Sequence, residues 1–230
     1  MTISLPPRRV LPGDWQPVGV ASLEPNALTV AKSGEHLSVL AGPGAGKTEL
    51  LAQRAAFLLQ TGASPSPQRI LAISFKRDAA RNLARRVRRR CHQDHAGRLD
   101  SMTFDAFAKG LVDRFGHGLP DNWRPTSDYG ILLPKKAHWA KFLWNAGLAP
   151  DNPFGRAAIQ GLFVDYFERR HVLDERLPEA GWPPVSAGRW AGQRYWDEQL
   201  RGSGRSHLTF AMLSRLAELL VRVNGIYTMR

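Results

Sequence analysis

The 230-residue chain is short of cysteine, of acidic residues and of long apolar runs, and each shortage excludes something. A single cysteine, Cys91, rules out an intramolecular disulfide and fits a reducing compartment, so a cytoplasmic location is expected. No apolar run approaches the ~20 residues that a membrane-spanning helix needs. Arg8 and Arg9 are followed by no apolar stretch of the kind that makes a secretory leader. Internal repeats, low-complexity tracts and a Gly-x-Ser-x-Gly nucleophile motif are all missing. Asp and Glu number 20 against 32 Lys and Arg, which leaves a formal charge of +12. A field of that sign favours polyanions, nucleic acid first. Hydrophobic residues make up 43%, enough for the core of one domain or of two small ones.

What is present centres on Ala41, Gly42, Pro43, Gly44, Ala45, Gly46, Lys47 and Thr48. An apolar run from Leu37 to Leu40 precedes this stretch and is predicted as a strand. A helical pattern from Glu49 to Leu59 follows it. Strand, glycine turn and helix with Gly-Lys-Thr at its start make the phosphate-binding loop pattern. Glycines let backbone N–H groups turn inward onto an anion, and the helix N-terminus adds its positive dipole end. In this pattern Lys47 reaches the β and γ phosphates of ATP, and the Thr48 hydroxyl ligates the accompanying Mg²⁺. Ala41 stands where the pattern usually has glycine.

Residues 1–22, with Pro6, Pro7, Pro12 and Pro17, read as an extended leader, and Leu23 to Ala31 as a short helix. Gly62 is placed to cap the phosphate-loop helix at its C-terminus. Ile70 to Phe75 is a near-continuous apolar run of strand length, as expected of a buried parallel strand. It leads into a helix from about Asp78 to Cys91, with Ala80, Leu83, Ala84, Val87 and Cys91 as its apolar stripe. The rest of that helix is nearly all arginine: Arg81, Arg85, Arg86, Arg88, Arg89 and Arg90, preceded by Lys76 and Arg77. So many like charges beside a phosphate site point to a nucleic-acid backbone. Leu99 to Phe104 is predicted as a third strand, and Asp105 opens another helix. The alternation predicts an α/β core with a mostly parallel sheet. Beyond Gly116 come Trp123, Trp139, Trp144, Trp182, Trp190 and Trp196 among prolines and short helical patterns. These read as a mainly helical subdomain whose tryptophans pack in its core. A final amphipathic helix runs from about Thr209 to Val223. Cys91, His92 and His95 have no fourth partner at zinc spacing and read as a helix end.

Three segments, AGPGAGKT, ILAISFKRDAARNL and SMTFDAFA, resemble in order and spacing motifs I, Ia and Ib of superfamily 1 DNA helicases of the UvrD/Rep/PcrA type. The resemblance extends over roughly residues 20 to 224. It implies a RecA-like P-loop core (1A) at residues 23–116, an inserted helical subdomain (1B) at 117–206, and a helix returning to the core within 207–230. It also implies ATP and Mg²⁺ as cofactors, single-stranded DNA as partner, and ATP-driven 3′-to-5′ translocation in the intact family. By position, motif Ia places Ser74, Phe75, Lys76 and Arg77 on the DNA path, although the usual Thr-Asn-Lys is here Lys76-Arg77-Asp78. The third motif falls on Thr103, Phe104 and Phe107, with Asp105 replacing a common histidine. Phe104 fits either a base-stacking face or ordinary core packing. Arg86 corresponds to an arginine that approaches the nucleotide. Ala27 stands where the family has its adenine-reading glutamine.

Hydrolysis in that family needs a strand ending in Asp-Glu-x-Gln, which holds Mg²⁺ and polarises the attacking water. Asp174-Glu175 and Asp197-Glu198 do not fit it and read as surface pairs. The chain is therefore expected to stop short of that motif, as a truncated frame, a split gene or a fragment. It is also expected to hold ATP without hydrolysing it, to expose an apolar sheet edge, and to need a second chain for the missing motifs. The alternative is a non-catalytic nucleic-acid-binding module that complements or regulates another chain. A phosphotransferase with a small substrate is a third reading, and it leaves the arginine-rich helix unexplained.

Overall fold

The computed structural model describes residues 9–145 and 187–224, and the chain divides into two compact units, residues 1–104 and 105–230. The first holds α1 (Pro25–Lys32), α2 (Lys47–Gln60), β1 (Ile70–Ser74), α3 (Arg77–Arg90), α4 (Gln93–Ala96) and β2 (Leu99–Thr103). β1 and β2 pair in parallel, with Ile70 opposite Leu99 and Ser74 opposite Thr103. α3 is the connection between them, and it packs on both the strands and α2. Its buried stripe is Ala80, Leu83 and Val87, with Cys91 at the C-cap, close to the periodicity predicted. α2 packs on it and contributes Ala52, Ala55 and Ala56 to the same buried cluster. α1 begins with proline in its first turn. Gly62, at φ +71°, takes the left-handed turn after α2, as expected.

The mixed helix–strand content with parallel pairing agrees with the α/β expectation, but two strand expectations need correction. Leu37–Leu40 forms no strand, and Leu40 is 97% exposed. An extended segment becomes a strand only when a neighbour completes its ladder, and among the described residues none pairs with it. β1 is not buried on both faces. Ile70 and Ala72 pack into the core, whereas Leu71 and Ile73 remain 40% and 47% exposed on the other face. The cause is that α3 covers one face of the pair, as the hydrogen bond from Ser101 Oγ to the Ala80 carbonyl marks.

Residues 9–22 form no helix or strand, turn at residues 12–14, and are anchored to α2 at a few points. Trp15 is 1% exposed, lies edge-to-face on Phe57 at 5.4 Å, and donates its indole N–H to Gln60. Gln53 holds the Val18 backbone from both sides, accepting from its N–H at 3.0 Å and donating to its carbonyl at 2.8 Å.

Among the described residues the second unit comprises α5 (Phe104–Phe115), α6 (Lys136–Asn145), α7 (Ala187–Arg201) and α8 (Phe210–Asn224), with a two-residue parallel pair, β3 (Gly130–Ile131) and β4 (His207–Leu208). Phe104, the first residue of α5, closes the first unit. Thr209 caps α8 by accepting from the Met212 N–H. Ala108, Leu111 and Val112 of α5 share one core with Leu213, Leu216 and Leu220 of α8. Their apolar stripes bury against each other and against Trp123 and Trp196, which meet edge-to-face at 5.4 Å. Asp197 and Glu198 are exposed within helix α7 and do not terminate a strand. Asp174, Glu175 and Trp182 lie outside the described residues. None of the described helices is long and apolar enough to cross a membrane.

Candidate nucleotide and nucleic-acid site

The loop at Ala41–Gly46 is exposed throughout, and α2 starts at Lys47. Gly44 and Gly46 sit at φ +77° and +74°, in the left-handed region that a side chain resists. A Cβ at either position, or at Gly42, would meet nothing within 4 Å, so backbone conformation and not space favours glycine at Gly44 and Gly46. Two turn hydrogen bonds set its shape, from Ala45 N to Gly42 O and from Gly46 N to Gly44 O. Lys47 folds back across it, its ammonium donating to the Ala41 carbonyl at 2.7 Å and to the Gly42 carbonyl at 2.5 Å. Thr48 follows, half-buried in the first turn of α2.

Behind the loop lies an ion cluster that the sequence reading missed. Glu49, the residue after Thr48, accepts from Arg86 at 2.5 Å and from Arg90 at 2.7 Å and 3.0 Å, with Gln53 donating to it as well. Partial burial pushes the Glu49 carboxyl upward. The hydrogen bonds from Gln53 and Arg86 and the charges of Arg90 and Arg86 outweigh it and hold Glu49 below the ordinary carboxylate range. Arg86, predicted near the nucleotide, is thus tied to the helix that starts at the loop. An acid in the first turn of α2, four residues before Gln53, was the available signal. Its partners on α3 are 37 and 41 residues away and could not be read locally.

The remaining predicted residues form a second group at the carboxyl ends of the parallel strands. Ser74 and Thr103 stand opposite each other in register. Phe75 follows Ser74 and is 96% exposed, and Phe104 follows Thr103 and is 51% exposed. Lys76 caps α3 and Arg77 begins it, both exposed. Phe107, one turn further along α5, packs partly buried against the core of the second unit. Cys91 is buried, and desolvation pushes its thiol up to about 11, which makes it a core residue and a poor ligand. His92 caps α4 by accepting from the Asp94 N–H.

Fold and site define an α/β protein in which a glycine turn opens a helix at Gly-Lys-Thr, and in which two parallel strands end side by side in exposed aromatic residues. Residues 24–137 match the family model of the UvrD/REP helicase N-terminal domain, and this stretch of the chain belongs to that family. The chain is 36% identical over 107 residues to DNA helicase IV of Escherichia coli (strain K12), covering 46% of this chain and 15% of that protein. It is 32% identical over 102 residues to the ATP-dependent DNA helicase srs2 of Schizosaccharomyces pombe, covering 44% and 11%. To the ATP-dependent DNA helicase PcrA of Leuconostoc citreum it is 37% identical over 83 residues, covering 36% and 11%. The matched region is thus a small part of each relative's length.

Proposed function

We propose that this chain is the ATP- and Mg²⁺-binding N-terminal region of a UvrD-like DNA helicase, a RecA-like core with a helical insertion that contacts single-stranded DNA. The observation that carries the reading is the loop itself: two left-handed glycines in an exposed turn, with Lys47 and Thr48 at the start of α2. These residues fit a nucleoside triphosphate. The loop residues other than Pro43 would offer backbone N–H groups to the phosphates, Lys47 would exchange its two carbonyl partners for phosphate oxygens, and Thr48 would hold Mg²⁺. ATP, when bound, would supply a phosphoanhydride bond to be cleaved, and two of the relatives are named ATP-dependent DNA helicases. Phe75 and Phe104 would offer stacking faces to bases, and Lys76 and Arg77 would meet the backbone phosphates.

The 230 residues contain no Asp-Glu-x-Gln, so the metal-holding acid and water-orienting glutamine of ATP hydrolysis are not supplied from within them. On this reading these 230 residues by themselves bind ATP without turning it over, and those groups come from outside them. ATP turnover with and without a single-stranded oligonucleotide tests this. The reading expects no stimulated turnover, together with oligonucleotide binding that falls on Phe75→Ala. Stimulated turnover by the purified chain would refute the catalytic part, and binding untouched by Phe75→Ala would refute the DNA path.

A further inference from the structure

α3 carries Arg85 and Arg89 on one i,i+4 row and Arg86 and Arg90 on the next. Together with Asn82 and Gly19 they line a cavity of about 340 Å³. Like charges four residues apart destabilise a helix, so such an arrangement calls for an anion. Glu49 answers only part of it, engaging Arg86 and Arg90. Arg85 and Arg89 are exposed and enter no ion pair among the described residues. Arg86 Nε is buried with no hydrogen-bond acceptor. A buried charged donor left without an acceptor is costly, and the planar guanidinium fork matches phosphate oxygens. Asn82 adds a neutral amide donor to the same wall. On the opposite rim Gly19, at φ +73°, presents backbone alone, with open space where a Cβ would stand.

We propose that this arginine cavity is a phosphate-binding site in its own right, additional to the loop at Ala41–Thr48. It takes a phosphate group with Arg85 and Arg89 as primary ligands, and with Arg86 shared between that phosphate and Glu49. The phosphate belongs either to a polyphosphate or to a polynucleotide backbone, since both present the same oxygens. The site needs neither Lys47 nor Thr48 and so stands independently of the nucleotide reading above.

Inorganic pyrophosphate in magnesium-free buffer is the probe, titrated calorimetrically into the full chain. Lys47→Ala should retain pyrophosphate binding, whereas the exposed pair Arg85→Ala/Arg89→Ala should weaken it by at least about tenfold, two charge-assisted contacts being lost. Circular dichroism verifies that the double variant is folded. Loss of binding on Lys47→Ala, or unchanged binding in the double variant, overturns the proposal. In the Lys47→Ala background, displacement of pyrophosphate by ATP identifies a polyphosphate source, and displacement by a single-stranded thymidine oligonucleotide identifies a polynucleotide source. Displacement by neither overturns the site.

Discussion

Glu49 Oε2 lies 2.5 Å from Arg86 Nη1, so the residue directly after the Lys47-Thr48 pair is fastened to the arginine-rich helix. Arg90, whose side chain is 10% exposed, bonds the same oxygen at 2.7 Å. The interaction joins α2 to α3 in a partly desolvated setting, where losing the carboxylate leaves two guanidinium groups facing each other. Glu49→Ala is expected to cost about 2 kcal/mol of unfolding free energy at neutral pH, read by urea denaturation.

The same carboxylate gives a pH dependence of defined sign. Its pKa is lowered in the folded chain from the ordinary value of 4.5, so the unfolded state takes up the proton first as the solution is acidified. The stabilisation is complete above that ordinary value and is lost as pH falls through the lower folded one. Urea midpoints measured from pH 7 down to pH 3 should fall steeply in the native chain. In Glu49→Gln the part of that slope due to this site should vanish.

Trp15 makes the strap at Arg9–Val18 a structural member. Trp15→Ala removes its edge-to-face contact with Phe57 and the indole bond to Gln60, and should cost about 3 kcal/mol. Limited proteolysis within residues 9–22 should then be faster than in the native chain.

Gly46→Ala places a side chain at φ +74°, so strain of roughly 1–2 kcal/mol is expected even though space is available. Gly42→Ala, with equally open surroundings and no positive φ, should leave the denaturation midpoint unchanged. Chemical denaturation of the pair separates backbone strain from steric fit.

Where local chemistry decides, the sequence was legible. The stripe Ala80, Leu83 and Val87 placed α3, Gly62 marked the end of α2, and Gly-Lys-Thr marked its start, because periodicity, left-handed turns and helix starts are written in neighbouring residues. Leu37–Leu40 misled, since an apolar run states a preference while a strand requires a partner distant in the chain. Leu71 and Ile73 misled likewise, because burial depends on what covers the second face. Glu49–Arg86, Trp15–Phe57 and the association of α5 with α8 all join residues more than 30 positions apart, and no local pattern encodes such pairs. At the candidate site the residue types were legible from the motifs. Their grouping into a loop cluster around Lys47 and Glu49 and a strand-end cluster around Ser74 and Thr103 came from the fold.

The central claim is that the loop at Ala41–Thr48 holds ATP through Lys47. Isothermal titration of ATP with Mg²⁺ into the full chain, beside Lys47→Ala, tests it most directly. Lys47 is exposed and its partners are loop carbonyls, so the variant should stay folded, with a stability change within about 0.5 kcal/mol. The account predicts saturable one-to-one ATP binding by the native chain and its loss in Lys47→Ala. Equal binding by both proteins, or none by the native chain, would contradict it.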